Sequence, residues 1–245
     1  MHRVPLTPLV AGAFVLPEAA ARYLVRVLRL REGDGFEAFD PRAGVVAQGA
    51  VLSIDRDVVQ VVLDEVSPVS LGEPALVLVQ GYPKGDKLAD VVRDATELGV
   101  TIVIPAIAAR SVARPDEKKA ASRSERLGAV ADEAARQCGR LRAPTVLAPM
   151  PWSDAIATAK AVATRGAVLW EQATMPLGRD LVAMASHARE GIAFFIGPEG
   201  GLERDEVVQA EQAGFPARSL GKIILRTETA ATAVLGAFRV LASSS

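Results

Sequence analysis

Two histidines and one cysteine are all that this chain of 245 residues offers for metal or nucleophilic chemistry. Cys138 alone cannot close an intramolecular disulfide, and His2, His187 and Cys138 show no metal-ligand spacing, so no metal site is expected. A Ser-His-Asp or Cys-His hydrolase is excluded on the same ground. His187 is the one internal histidine, and its alanine-rich helical setting makes it a surface or packing residue. Also missing are a charged-then-apolar leader and any apolar run long enough to span a bilayer, so the expected location is cytoplasmic, with no membrane partner. No G-x-G-x-x-G follows an early strand with an acidic residue downstream, which argues against a dinucleotide-binding oxidoreductase. With a formal net charge of −1, global charge gives no support to nucleic-acid binding, and any basic surface has to be local.

Half of the residues are apolar, enough to fill the core of one large domain or of a small and a medium one. Residues 1–70 read as a small β-rich module. Within it, 17–30 (PEAAARYLVRVLRL) opens with a proline suited to a first helical turn. Leu24, Val27 and Leu28 then share an apolar face, with Arg22, Arg26 and Arg29 opposite. Strands are predicted at 35–40, 45–54 and 58–66, joined by turns at 41–44 and 55–57, a spacing that suggests a compact barrel. The stretch 67–74 (SPVSLGEP) is the expected linker. Beyond it, short apolar strands (76–79, 100–104, 167–170, 192–196) alternate with helical spacings, the pattern of a parallel sheet. Helices are predicted at 88–98, from Pro115 through Cys138, from an N-cap at Ser153 to Ala163, and at 181–189, 203–213 and 231–241.

Arginines gather at the ends of the helix from Pro115: Arg110 and Arg114 before it, Arg136, Arg140 and Arg142 at its close. They form a local basic patch or, for Arg136 and Arg140, offset the dipole at a helix C-terminus. The arginine face of 17–30 is likewise either a phosphate contact or a solvated surface.

Two stretches stand apart. Gly197-Pro198-Glu199-Gly200-Gly201 follows an apolar strand and precedes a helix, and its composition forces a sharp bend that lets a ligand approach the amides. It is a ligand cradle at a helix start or a tight strand-to-helix connection. Residues 220–230 (LGKIILRTETA) end in Arg-Thr-Glu-Thr and run into the final helix, which Thr227 or Thr229 could cap.

Residues 196–201 (IGPEGG) and 220–230 together resemble the RsmE family, the small-subunit ribosomal RNA uridine-N3 methyltransferases of the SPOUT superfamily. The likeness extends, in order and spacing, to Arg26-Val27-Leu28-Arg29-Leu30, Glu97-Leu98-Gly99, Pro105, Arg110-Ser111, residues 133–140 (EAARQCGR) and Pro144, nearly the whole chain. It implies an α/β fold with a SPOUT-type parallel sheet and a C-terminal deep trefoil knot over 75–245, preceded by an RNA-binding PUA-like β-barrel over 1–70. It further implies S-adenosylmethionine as cofactor, bent in the knot, a pocket completed by the second subunit of a homodimer, and 16S ribosomal RNA or the small ribosomal subunit as partner.

Three loops would then hold the cofactor: Leu169 with Glu171; Ile196, Gly197, Pro198, Glu199, Gly200 and Gly201; and Leu220, Gly221, Ile224, Leu225 and Thr229. Arg226 is the leading catalytic candidate, stabilising an anionic uracil or positioning a phosphate. Glu228, or Glu199, would orient ribose hydroxyls or assist proton removal, with helix capping the alternative for Glu228. Arg3, Arg26, Arg29, Arg110, Arg136 and Arg140 are the RNA-binding candidates. Two positions depart from the family pattern. Arg22-Tyr23 stand where a histidine often precedes Arg-Val-Leu-Arg, and Glu203 replaces the serine that often begins a capping pattern ending at Glu206, a change that touches capping and not catalysis. The rival readings are a SPOUT methyltransferase acting on a ribose 2′-hydroxyl and a non-catalytic RNA-binding assembly protein.

Overall fold

Two sheets, each with its own core, organise the computed structural model, which describes residues 2–56, 58–69, 74–112 and 117–243. Packing groups residues 1–71 with 135–143 in one unit, and 72–134 with 144–245 in the other. The placement of 135–143 with the first unit is absent from the boundaries 1–70 and 75–245 drawn on the sequence.

The first unit comprises β1 (His2–Pro5), β2 (Gly12–Val15), α1 (Glu18–Arg22), β3 (Gly35–Asp40), β4 (Val45–Asp55), β5 (Val58–Leu63) and β6 (Ser67–Pro68). Its sheet runs β1-β3-β4-β5-β2 with β6 on β4, and only β1 and β3 are parallel. Alternate residues such as Phe36, Ala38, Val59, Val61 and Leu63 fill the core with Val4 and Leu24. Three features differ from the sequence reading. The four-residue β1 and β2 are too short to show a period of their own and exist through pairing with β3 and β5. The start of the supposed linker is sheet: Ser67 and Pro68 pair with Val46 and Val45, and the Val69 N–H donates to Gly44 O at 2.8 Å. Residues 70–73 of that linker lie outside the described residues, as does Asp57 of the 55–57 turn. Finally, α1 widens after Arg22 into a π turn, Tyr23–Val27. The wider turn rotates the residues that follow it, so Leu24 is buried while Val27, expected on the same face, is 63% exposed.

The second unit comprises β7 (Leu76–Gly81), α2 (Lys87–Glu97), β8 (Ile102–Ile107), most of α3 (Glu117–Cys138), β9 (Thr145–Val146), β10 (Met150–Pro151), α4 (Trp152–Lys160), β11 (Arg165–Leu169), α5 (Gly178–Ser186), β12 (Ile192–Ile196), α6 (Arg204–Gln212), β13 (Ala217–Arg218) and α7 (Thr227–Ala242). Every strand pair is parallel, in the order β10-β8-β7-β12-β11-β13 with β9 on β8. β7 and β12 are buried along their whole length, as expected of strands with helices on both faces. Trp152 and Phe215 pack on Phe195 on one side, and Phe238 of α7 packs on Phe194 at 5.7 Å.

Several helix and strand ends move from their expected places. Pro151, not Ser153, holds the N-cap of α4, and the Ser153 hydroxyl bonds Asp154 instead. α7 starts four residues early, at Thr227. The strand expected at 100–104 runs over Ile102–Ile107 and carries Pro105 opposite Gln80. His187 ends α5 on the surface, with Nδ1 2.9 Å from Ala183 O. Arg114 and Pro115 lie outside the described residues. Among the described residues no helix is long and apolar enough to cross a membrane.

Because neighbouring strands are parallel, the carboxyl ends of β7, β12, β11 and β13 open along one edge. At that edge the chain after β12 presses on β7: a Cβ on Gly81 would fall 2.4 Å from Pro198 N and 2.5 Å from Pro198 Cδ. Gly81→Ala is therefore expected to lower the unfolding free energy by about 2 kcal/mol. Gly178→Ala, where a Cβ meets nothing within 4 Å, is expected to leave it unchanged or slightly raised. Denaturant unfolding of both variants checks this, and a wild-type midpoint for Gly81→Ala would show that the close approach is no constraint.

Candidate active site

The segments that leave β11, β12 and β13 enclose a cleft of about 560 Å³, within the range of small-molecule sites. Parallel α/β sheets place ligands at such carboxyl ends. The cleft is lined by Leu169 and Glu171, by Ile196, Gly197, Pro198, Glu199, Gly200 and Gly201, by Leu220, Gly221, Ile224 and Leu225, and by Arg226. Two candidates sit elsewhere: Thr229 is exposed on α7, and Glu228 stands in the first turn of that helix without lining the cleft. Lys87, Trp170, Leu202, Ser219, Lys222, Ile223, Thr227 and Ala230 also line it; Trp170, Lys222, Ile223 and Thr227 fall within the loops expected from the sequence, and Lys87, Leu202, Ser219 and Ala230 do not. Lys87 had a local signal, the Lys84-Gly85-Asp86-Lys87 break after β7. The others are set by how the loops meet.

Glycine is required here by close approach. A Cβ on Gly200 would fall 2.9 Å from Arg110 Cβ, and Gly201 combines φ +73° with Glu171 Oε1 3.0 Å from where its Cβ would be. The other wall is pinned through Thr227. Its hydroxyl donates to Gly197 O at 2.6 Å and accepts from Gln80 Nε2 at 2.7 Å. Thr227 thus links β7, the 197–201 loop and α7; it does not cap the helix, whose N-cap is the extended Arg226. Behind the loop, the Glu206 carboxylate accepts from the N–H groups of Glu203 at 2.9 Å and Ala109 at 2.8 Å, and Trp152 Nε1 donates to Glu206 O at 3.0 Å. Glu206 thereby supplies the capping bond without the usual serine.

An ionic cluster lies where the walls meet. Lys87 Nζ is 3.0 Å from Glu199 Oε1 and 3.6 Å from Glu228 Oε2. The Lys84 N–H donates to both Glu199 oxygens, at 3.2 and 3.3 Å. Burial pushes the Glu199 carboxyl up, but backbone N–H groups and the Lys87 ammonium outweigh it and hold the acid below its ordinary range. The hydrogen bond that the Lys87 ammonium donates to Glu199 is the main reason that it is held above its own. Arg226 is exposed and makes no ion pair with a described residue. Trp170 Nε1 is buried without a hydrogen-bond partner beside the cleft. Glycine backbone and apolar Leu169, Ile196, Leu225 and Ala230 suit a nucleoside, and the Glu171 carboxylate stands beside Gly201. Leu220, Ile223 and Ile224 are 38%, 80% and 81% exposed. Among the described residues no group of His, Cys, Asp or Glu could hold a metal ion.

The arginine candidates divide between the units. Arg3, Arg26, Arg29, Arg136 and Arg140 belong to the first. There Arg3 pairs with Glu37 at 2.7 Å and donates to Gly139 O at 3.3 Å. Arg29, after the π turn, adopts φ +58°, a left-handed conformation uncommon without glycine. Arg110, in the second unit, donates to Gly200 O at 3.3 Å and stands 3.7 Å from Glu203, so it touches the loop of the cleft.

Residues 72–239 match a family described as an RNA methyltransferase domain, and residues 16–64 match an RNA methyltransferase PUA domain. The chain is 31% identical to the ribosomal RNA small subunit methyltransferase E of Synechocystis over 99% of its length and 78% of that protein's. It is 31% identical to the protein of the same name from Bacillus subtilis, covering 93% of this chain and 90% of that one. Among solved structures, a ribosomal RNA small subunit methyltransferase E from Neisseria gonorrhoeae bound to S-adenosyl methionine is similar with a TM-score of 0.71 and 28% identity, over 98% of both chains.

The Glu199 pairing makes a pH-dependent contribution to stability. Because its folded pKa is depressed, the contribution is present above the ordinary carboxylate value, about 4.5, and fades as pH falls below it through the folded value. Thermal melts of wild type and Glu199→Gln are expected to differ at pH 7 by at most about 1 kcal/mol, as befits a half-exposed pair, and to converge in acid. A difference that grows, or never shrinks, as the pH falls from 4.5 into strong acid would show that the Glu199 carboxylate is not the source.

Proposed function

The chain belongs to the RNA methyltransferase family that includes the ribosomal RNA small subunit methyltransferases E, and on that premise we propose that it transfers a methyl group from S-adenosylmethionine to N3 of a uridine in 16S ribosomal RNA. The observation that carries the reading is the meeting of three post-strand loops in one nucleoside-sized cleft bordered by Lys87 and Arg226. When bound, the cofactor supplies a methyl group already activated by its positive sulfur. What remains for the protein is to hold the cofactor, exclude water and bring an ionised base into line. Residues 197–201 and 220–225 would hold it through backbone groups, with Leu169, Ile196 and Leu225 against the base. Glu171 would complement its positive charge. Arg226, charged at any relevant pH and without an internal counter-ion, is placed to meet an RNA phosphate or the anionic base.

Three finer points belong to the same reading. The first unit serves as a PUA-like barrel that engages RNA through Arg3, Arg26, Arg29, Arg136 and Arg140, supported by the match at 16–64 and by the strained Arg29. The C-terminal segment forms a deep trefoil knot. In support, the chain leaves β13 at the sheet edge and returns across the strand ends to bond Gly197 and Gln80 through Thr227. The protein works as a homodimer in the cytoplasm, with the exposed Leu220, Ile223 and Ile224 covered by the second copy, since such apolar exposure is otherwise unfavourable.

Nucleoside analysis of 16S ribosomal RNA from a strain lacking the gene is expected to show one N3-methyluridine missing, and the purified protein with cofactor to restore it. Ribose methylation instead would move the target atom, and cofactor binding with no transfer would favour an assembly role. Arg226→Ala is expected to reduce methyl transfer by about a hundredfold with melting unchanged. Near-normal transfer would remove Arg226 from the mechanism.

A further inference from the structure

Lys87, not named in the sequence reading as a site residue, is the best-held cation of the cleft. It opens α2, and its ammonium spans the cleft's two walls, bonding Glu199 of the 197–201 loop at 3.0 Å and facing Glu228 of α7 at 3.6 Å. Glu199 is itself anchored by the Lys84 N–H. Glu228 Oε2 is shielded from solvent and has no hydrogen-bond partner, so at 3.6 Å it acts on Lys87 as a charge. An ammonium has three donors; Glu199 takes one, and the side chain keeps 38% exposure beside the cleft. The N-termini of α2 and α7 converge here and offset part of the negative charge of the two acids. Arg226 has no such anchoring, so ordering it on a substrate costs conformational entropy that Lys87 has already lost.

A base methylated at a ring nitrogen flanked by carbonyls develops negative charge on those oxygens as the N–H proton leaves. A preorganised cation lowers the barrier most when it is fixed before the charge appears. We infer that Lys87 is a catalytic residue that donates to a carbonyl oxygen of the target uracil as N3 ionises, with Glu199 and Glu228 as its positioning residues. The inference rests on the uridine-N3 reading above. The N3 proton passes to solvent. The pair left on N3 forms the new bond to the methyl carbon, and the pair of the broken methyl–sulfur bond stays with sulfur. Glu228, behind Lys87 and out of the cleft lining, steadies the ammonium and takes no proton, and Arg226 is left for the phosphate.

The test is Lys87→Met in the full chain, read by single-turnover transfer to small-subunit RNA, by calorimetric cofactor affinity, and by binding of RNA carrying 5-fluorouridine at the target, whose N3 is more acidic. Transfer to uridine is expected to fall about 10²- to 10³-fold, with cofactor affinity within about threefold. The loss should shrink to about tenfold or less on the fluorinated base, whose ionisation needs less help. Without turnover, wild type is expected to bind the fluorinated RNA more tightly as pH rises through the base's ionisation, and Lys87→Met to lack that dependence. Transfer within about threefold of wild type, an equal loss on both bases, or a loss explained by weakened cofactor binding would overturn the inference. A wild type that methylates RNA elsewhere than uridine N3 would overturn the parent reading and this one together, whereas a wild type that methylates uridine N3 with an equal Lys87→Met loss on both bases sinks only the role of Lys87.

Discussion

One threonine hydroxyl ties the cleft together. Thr227 Oγ1 accepts a hydrogen bond from Gln80 Nε2, buried in β7, and donates one to Gly197 O at the end of β12. That fixes where α7 begins, and Phe238 on Phe194 fixes how it lies on the sheet. The 219–226 segment is then held at both ends, by β13 and by Thr227, while its middle residues, Ile223 and Ile224, stay exposed. A buried hydroxyl that donates and accepts is stable only when both partners are present. The wall of the cleft facing residues 197–201 therefore depends on a contact between residues 30 and 147 positions apart.

The sequence was most legible where a local period or a backbone requirement leaves a mark. The buried run at 192–196, the hairpin strand at 35–40, the α2 helix ending before Gly99, and the glycine-rich bend at 197–201 all lie where periodicity and turn chemistry put them. Twelve of the thirteen proposed cofactor contacts share one cleft, with only Thr229 outside, because the loops that carry them follow parallel strands. What escaped was non-local. β1, β2 and β6 exist only through their partners, and Val27 turns outward because one turn is π rather than α. Thr227 reads as a cap until Gly197 and Gln80 are beside it. The packing of 135–143 with the first unit leaves no trace in composition.

Neither unit carries a large net charge, so any attraction to RNA rests on local clusters of basic side chains. Five of the arginine candidates lie in the first unit, while in the second Lys87, at the cleft, is held between Glu199 and Glu228. Electrostatic attraction to a polyanion is a local property, and catalysis by electrostatics needs few charges if they are fixed.

The central claim is that the ends of β11, β12 and β13 form the cofactor site. A crystal structure with S-adenosylhomocysteine tests it most directly. The ligand is expected between residues 197–201 and 220–225, with the backbone of those loops within hydrogen-bonding distance. A ligand bound at another edge of the sheet, or outside the second unit, would contradict the account.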